Sequence, residues 1–176
     1  KVEARSQYRN KQKKEMKFTQ AMQDAINEQV NREMWSAHLY LSMSAHFANE
    51  GLKGFSSWFY KQYKEEIAHA EDMMKYILTR GGKVEVRAVE AVPTTFESTL
   101  AIVEQVYEHE CYVSSCIEDL VRVASKEQDM ASQDFFWKYI REQVEEEETA
   151  SDLVQRVRMA QDKYLYQLDK ELGERQ

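Results

Sequence analysis

The sequence predicts an all-α protein: four long helices arranged as two hairpins with one long crossover between them, and a short fifth helix at the C-terminus. Three observations carry that prediction. One proline and five glycines among 176 residues leave few points where a helix must stop. Leu, Met, Ala, Glu, Lys, Gln and Arg, all good helix formers, dominate the remainder. Apolar residues recur at three-and-four spacing through four long stretches. The length suits one domain with a sizeable core rather than two.

The first helix is expected from Thr19 to Glu50, stopping at Gly51. The second starts near Leu52 and ends at Gly81 and Gly82, where glycine supplies the backbone freedom a helix stop requires. Residues 83–93, KVEVRAVEAVP, alternate valine with other residues and hold the single proline, so they read as an extended connection. Thr94 with Glu97 three residues later has the capping-box pattern and marks the expected start of the third helix. That helix continues to about Gln128. A break over residues 129–132 precedes the fourth, which runs to about Ala160, and residues 162–172 form the short terminal helix before Gly173. Short links within each pair and a long link between pairs give two antiparallel hairpins joined by a crossover. Loop lengths alone also fit a plain up-and-down bundle with one loose loop.

Composition bounds the function. No apolar run is long enough to span a bilayer, and no secretory h-region stands near the start. Cys111 and Cys116 lie five apart in a helical stretch, which is no disulfide framework. A reducing, cytoplasmic setting is therefore expected. Of the net charge of −7, residues 1–17 contribute +5 (seven basic side chains against Glu3 and Glu15), so the body carries −12. An acidic body suits cations and argues against nucleic acid as a partner. Met16 reads as a natural start. Residues 1–15 are accordingly expected to be a basic, disordered tail or an added extension, and residues 16–176 the domain.

Each helix's apolar stripe carries polar residues near its middle. The first reads Ile26, Val30, Glu33, Ala37, Tyr40 or Leu41, Ser44. The second reads Phe55, Phe59, Gln62, Glu66, His69, Met73, Ile77. The third reads Leu100, Val103, Val106 or Tyr107, Glu110, Val113 or Ser114, Ile117, Val121. The fourth reads Phe136, Tyr139 or Ile140, Gln143, Glu146 or Glu147, Ala150, Leu153 or Val154, Val157. In an antiparallel bundle all four interruptions fall at a similar height. One acid on an apolar stripe is ordinary, but four that converge would strongly destabilise a core. No lysine or arginine shares their level, so bound cations are the simplest resolution. Four carboxylates balance two divalent ions. Carboxylates with one imidazole suit iron, manganese or zinc better than copper. Glu66 and His69, three apart, point to the same side of their helix.

The segments that carry this pattern are NREMWSAHLYLSMSA around Glu33, LKGF at 52–55, YKEEIAHAE around Glu66 and His69, and REQVEEE at 141–147. Together they resemble the ferritin family, in its non-haem bacterial type, over nearly the whole chain from Met16. The resemblance implies a ferritin-like four-helix bundle with ferroxidase activity, in which Fe(II) is oxidised by dioxygen or hydrogen peroxide and stored as ferric oxyhydroxide inside a homo-oligomeric cage of 24 subunits. It implies a first iron held by Glu33, Glu66 and His69, and a second by Glu66, Glu110 and Glu146, which settles the choice on the fourth helix. Gln143 and Glu146 stand where bacterioferritins and many other di-iron proteins carry a second E-x-x-H. That departure implies a weaker second site, with Gln143 orienting dioxygen or water. Glu65, Glu142 and Glu145 match a third, inner iron site, whose plain alternative is a solvated acidic face. Tyr40 matches a tyrosine beside the ferroxidase centre, or is simply core. Ile67 occupies the position of the haem-ligating methionine of bacterioferritins, so no haem is expected. Trp35, Trp58, Trp137 and the methionines read as core. His38, His46 and His109 read as surface or interface, and Glu127, Asp129 and Asp134 as weak candidates to line entry channels.

Three rival readings remain. A rubrerythrin-like di-iron peroxidase would usually show two E-x-x-H motifs and often a cysteine-rich segment. A DNA-protecting mini-ferritin places its iron site between subunits. A purely structural bundle leaves four buried carboxylates without partners.

Overall fold

The computed structural model describes residues 18–174; the basic tail expected at 1–15 lies outside them. Helix α1 spans Gln20–Asn49, α2 spans Lys53–Thr79 and α3 spans Thr99–Lys126. A last helical stretch, Met130–Glu174, is broken at Gln161, where φ is 46° and ψ −169°. Its parts are α4 (130–160) and α5 (162–174). No strand occurs among the described residues, and no helix there is long and apolar enough to cross a membrane.

Local chemistry sets most boundaries. Thr19 sits in extended conformation and its hydroxyl accepts the Met22 N–H, capping α1. Gly51 (φ 80°) and Gly81 (φ 75°) close α1 and α2 in the left-handed region. The α3–α4 turn has no glycine. Gln128 takes φ 55° there, a strain that the caps on either side must hold. Asp129 then caps α4: its carboxylate accepts the Ser132 N–H at 3.1 Å and the Ser132 hydroxyl at 2.7 Å, and Arg80 from the end of α2 pairs with it at 3.0 Å. Asp129, considered above for a channel, is thus 2 % exposed and engaged within its own subunit.

Helix α3 is capped four residues later than the Thr94–Glu97 pattern suggested. Its cap is Ser98, whose hydroxyl accepts the Ala101 N–H at 3.1 Å. The reason lies in the crossover, which runs along α1 without regular secondary structure. Asn27 donates to the Lys83 carbonyl at 2.9 Å and accepts the Glu85 N–H at 2.8 Å. Asn31 holds the Ala88 carbonyl at 3.0 Å, and Ser42 the Pro93 carbonyl at 2.6 Å. Phe96 then packs on His46, ring centroids 5.2 Å apart. The chain stays stretched to the far end of α1 before a helix can turn back.

The core falls into two halves. One gathers Leu39, Phe47, Phe55, Phe59, Val103 and Leu153, with Leu168 and Leu172 of α5 closing its end. The other gathers Met22, Ile26, Met73, Ile77, Ile117 and Phe136. Helix α5 is docked by Asp169, whose carboxylate accepts the Phe55 N–H at 2.8 Å, serving an α2 N-terminus that lacks a side-chain cap of its own. Gly54 allows this approach, since a Cβ there would lie 1.6 Å from the Asp169 carbonyl oxygen. Where two neighbours competed for a stripe position, Tyr40 and Val106 are buried while Leu41 and Tyr107 are exposed. Trp35 and Trp58 pack against the core, but Trp137, read as core, is 48 % exposed.

Candidate di-metal centre

Between the two apolar halves lies a polar layer to which every long helix contributes. Glu33 comes from α1, Glu66 and His69 from α2, Glu110 from α3, and Gln143 and Glu146 from α4. Glu33, Glu66, Glu110 and Gln143 are buried, and Glu146 is half-buried. Ligand atoms of Glu33, Glu66 and His69 all lie within 4.8 Å of one another. Glu146 turns toward the layer, where Gln62 donates to it at 3.3 Å.

The layer's hydrogen bonds hold its carboxylates in place without neutralising them. Gln29, one turn before Glu33, donates to it at 2.7 Å. The Tyr40 hydroxyl donates a short bond to Glu110. Gln143 donates to the other Glu110 oxygen at 3.1 Å. Glu66 Oε2 is buried with no hydrogen-bond partner, at a cost normally avoided in native cores. His69 stands between two acids, with Nδ1 3.6 Å from Glu66 and Nε2 3.2 Å from Glu142.

Titration follows from this crowding. Burial, then the Glu66 charge, pushes the Glu33 carboxyl well above the usual range. Burial likewise raises Glu66 and Glu110. Burial, with Glu65 and Glu110 adding, pushes Glu146 up to about 7. For His69 burial opposes the charge, but hydrogen bonds to Glu142 and Glu66 outweigh it and push the imidazole up to about 11. Without cations the layer keeps protons; cations bound there would displace them. Oxygen donors with one imidazole fit a hard or borderline divalent ion, and Glu66 Oε2, which accepts no hydrogen bond and lies 3.6 Å from His69 Nδ1, is a ligand atom in waiting.

A second group adjoins the first through the shared imidazole. Glu65, His69 and Glu142 place ligand atoms within 4.8 Å of one another. Glu145 is exposed and lines a separate depression with Trp58, Asp152 and Arg156. Ile67 is half-buried beside Glu66.

Gln62, already on the α2 stripe, supports Glu146, but other neighbours escaped the sequence reading. Gln29 supports Glu33, yet glutamine on a helix ordinarily reads as surface; its only signal is a place one turn from an acidic stripe residue. His109, read as surface or interface, is largely enclosed. Burial pushes it down to about 4, so the neutral ring donates from Nε2 to the Ser36 oxygen at 2.8 Å, while the Ser36 hydroxyl donates to the Arg32 carbonyl. His38 is exposed and His46 half-buried.

Four long helices with one crossover, each bringing a carboxylate to one buried layer, define a four-helix-bundle metal-carboxylate protein. The Ferritin-like domain family model matches residues 23–160. A bacterial non-heme ferritin of Bacteroides fragilis is 46 % identical over 158 residues, 90 % of this chain and 99 % of that one. One from Staphylococcus aureus is 35 % identical over 155 residues, 86 % of this chain and 93 % of that one. An open pore ferritin from the hyperthermophilic archaeon Archaeoglobus fulgidus matches in structure with a TM-score of 0.88 and 45 % identity, over 90 % of this chain and 99 % of that one. The chain belongs to the ferritin family.

Proposed function

We propose that this chain stores and detoxifies iron, taking Fe(II) as its substrate at the mid-bundle layer and oxidising it there. Glu33, Glu66 and His69 hold one iron; Glu66, Glu110 and Glu146 hold the other, with Glu66 between them. Each Fe(II) gives up one electron. Dioxygen accepts two electrons and two protons and leaves as hydrogen peroxide, or peroxide as the oxidant leaves as two waters. Anionic oxygen donors gain more from Fe(III) than from Fe(II), which favours electron loss. Gln143, anchored on Glu110, is placed to orient the oxidant or a water. Glu65 and Glu142, then the exposed Glu145, offer the ferric product a way out toward the mineral. Storage requires a closed shell, for which we assign 24 copies of the chain, in a reducing, cytoplasmic setting.

The observation that carries this reading is the convergence of four carboxylates from four helices on one layer, three of them buried, with Glu66 Oε2 buried and accepting no hydrogen bond. The test is an anaerobic Fe(II) titration of the purified assembly, followed by admission of air with absorbance recorded, and then native mass. Two tight Fe(II) per chain, oxidation on admitting air and mineral growth in a particle of roughly 500 kDa are expected. Iron that only cycles between two states in a small oligomer, without mineral, would sink the storage reading.

A further inference from the structure

His69 belongs to two ligand groups at once. It stands within 4.8 Å, ligand atom to ligand atom, of Glu33 and Glu66 in the metal layer and of Glu65 and Glu142 beside it. Its two nitrogens face different acids: Nδ1 is 3.6 Å from Glu66 Oε2, and Nε2 is 3.2 Å from Glu142 Oε1. A carboxylate only accepts, so Nε2 donates to Glu142. The ring has little freedom to leave this position. Tyr139 meets it edge-on, with centroids 5.3 Å apart. Tyr139 is tied down in turn by Asp72, which accepts its hydroxyl at 2.7 Å and pairs with Lys138.

One neutral imidazole has one lone pair to give. If Nδ1 gives it to a cation held by Glu33 and Glu66, Nε2 keeps its proton and donates it to Glu142. If Nε2 gives it to a cation held by Glu65 and Glu142, Nδ1 keeps the proton and is lost to the metal layer. The two groups therefore cannot both be complete, and Glu142 decides between them. Its oxygen nearest the ring is either the acceptor that orients His69 or a ligand. We propose that Glu142 is a positioning residue for the first iron, and that a cation arriving at Glu65 and Glu142 takes this carboxylate away and loosens that iron. Through Nε2–H, Glu142 fixes the tautomer and ring angle that aim Nδ1 at Glu33 and Glu66. The proposal rests on the ferroxidase reading and couples the exits of the two ions. The first to leave the layer by Glu65 and Glu142 frees His69 from its anchor, so the second follows and the pair unloads together.

The assembled protein is titrated anaerobically with Co(II) in place of Fe(II), with visible absorbance recorded. Glu142→Ala should weaken the imidazole-bound Co(II) by about 10–100-fold, as other losses of an acceptor behind a ligating histidine do, and should change its visible spectrum. Glu142→Gln, whose amide oxygen still accepts from Nε2, should recover part of both. Cation exchange tests the coupling. Protein preloaded with two radiolabelled Zn(II) per chain is chased with increasing unlabelled Zn(II). In the parent the rate of label loss should rise several-fold with the chase concentration. In Glu65→Gln, which weakens the outer group and leaves the Glu142–His69 bond in place, that dependence should disappear. Unchanged Co(II) affinity and spectrum in Glu142→Ala, or equal damage in Glu142→Ala and Glu142→Gln, would overturn the positioning role. Label loss that ignores the chase in the parent, or that rises equally in Glu65→Gln, would overturn the coupling. Either result, in a parent that binds two cations per chain, leaves the ferroxidase reading intact. A parent that binds no pair of cations sinks that reading, and this proposal with it.

Discussion

Glu66 has one oxygen buried without a hydrogen-bond partner, 3.6 Å from the His69 imidazole and beside a second carboxylate. A buried acceptor that takes no hydrogen bond destabilises the metal-free fold and is kept for use as a ligand. Glu66→Gln should therefore abolish tight pairwise binding of Fe(II) in anaerobic calorimetry while the metal-free melting temperature stays level or rises. A fall of many degrees would mean that Glu66 is a structural residue. The layer's titration makes a related prediction. Carboxyls raised by burial, and His69 raised by its acidic partners, hold protons in the folded chain that the unfolded chain has lost. Their stabilisation is whole below the unfolded values and disappears as pH rises through the folded ones. For Glu146 that window runs from 4.5 to about 7, and for His69 from 6.5 to about 11. Scanning calorimetry in chelator should show the melting temperature falling from pH 5 to 8, and saturating Zn(II) should reverse the slope; a metal-free protein that gained stability over this range would refute the assignment. The acidic members of this layer were legible in the sequence because an acid on an apolar stripe has no bland use when four coincide. Gln29 and His109 were not, since neither violates a stripe strongly enough to be noticed.

Helix boundaries show a similar division. Thr19, Gly51 and Gly81 act through their own backbone or side chain, so local sequence placed the ends they control. The start of α3 is set instead by contacts with α1 distant in sequence, from Asn27 to Ser42, and a capping pattern at Thr94 cannot override a chain that still has distance to cover. The α3–α4 break was read from the sequence, but about two residues late, because Gln128 takes a conformation that glycine usually marks. Helix α5 offers the clearest test of such long-range control. Gly54→Ala would put a methyl within 1.6 Å of the Asp169 carbonyl, so α5 must shift and the Asp169 cap on Phe55 must weaken. A loss of about 1–3 kcal/mol is expected, as for other forced overpacking. Limited proteolysis should then cut near Gln161, where the backbone already leaves helical geometry. Fe(II) oxidation should persist, since the metal layer lies beyond Phe55 and Phe59. Unchanged protection at Gln161 would show that α5 is held by something other than this contact.

At the scale of the whole molecule, the described residues place every proposed ligand of the two-iron site within one chain. The bundle is closed by its own two hairpins, and the charge of the metal layer is balanced, or left unbalanced, inside each subunit. Iron binding and shell formation should therefore separate. Native mass spectrometry during a Zn(II) titration should find two cations per chain in every oligomer present, including any single folded chain. Mineral growth should appear only in the large assembly. Glu66→Gln should form that assembly with unchanged mass while losing the cations. If cations instead appeared only in oligomers, one or more ligands would have to come from a neighbouring subunit, and the convergence of Glu33, Glu66, Glu110 and Glu146 would need another explanation. The acidic body adds a rate effect: it concentrates cations around each subunit, so Fe(II) uptake should slow as added salt shortens the reach of that field from about 30 Å at 0.01 M to about 3 Å at 1 M. Two cations per chain with a salt-independent uptake rate would leave the site intact but remove the body's charge from the mechanism.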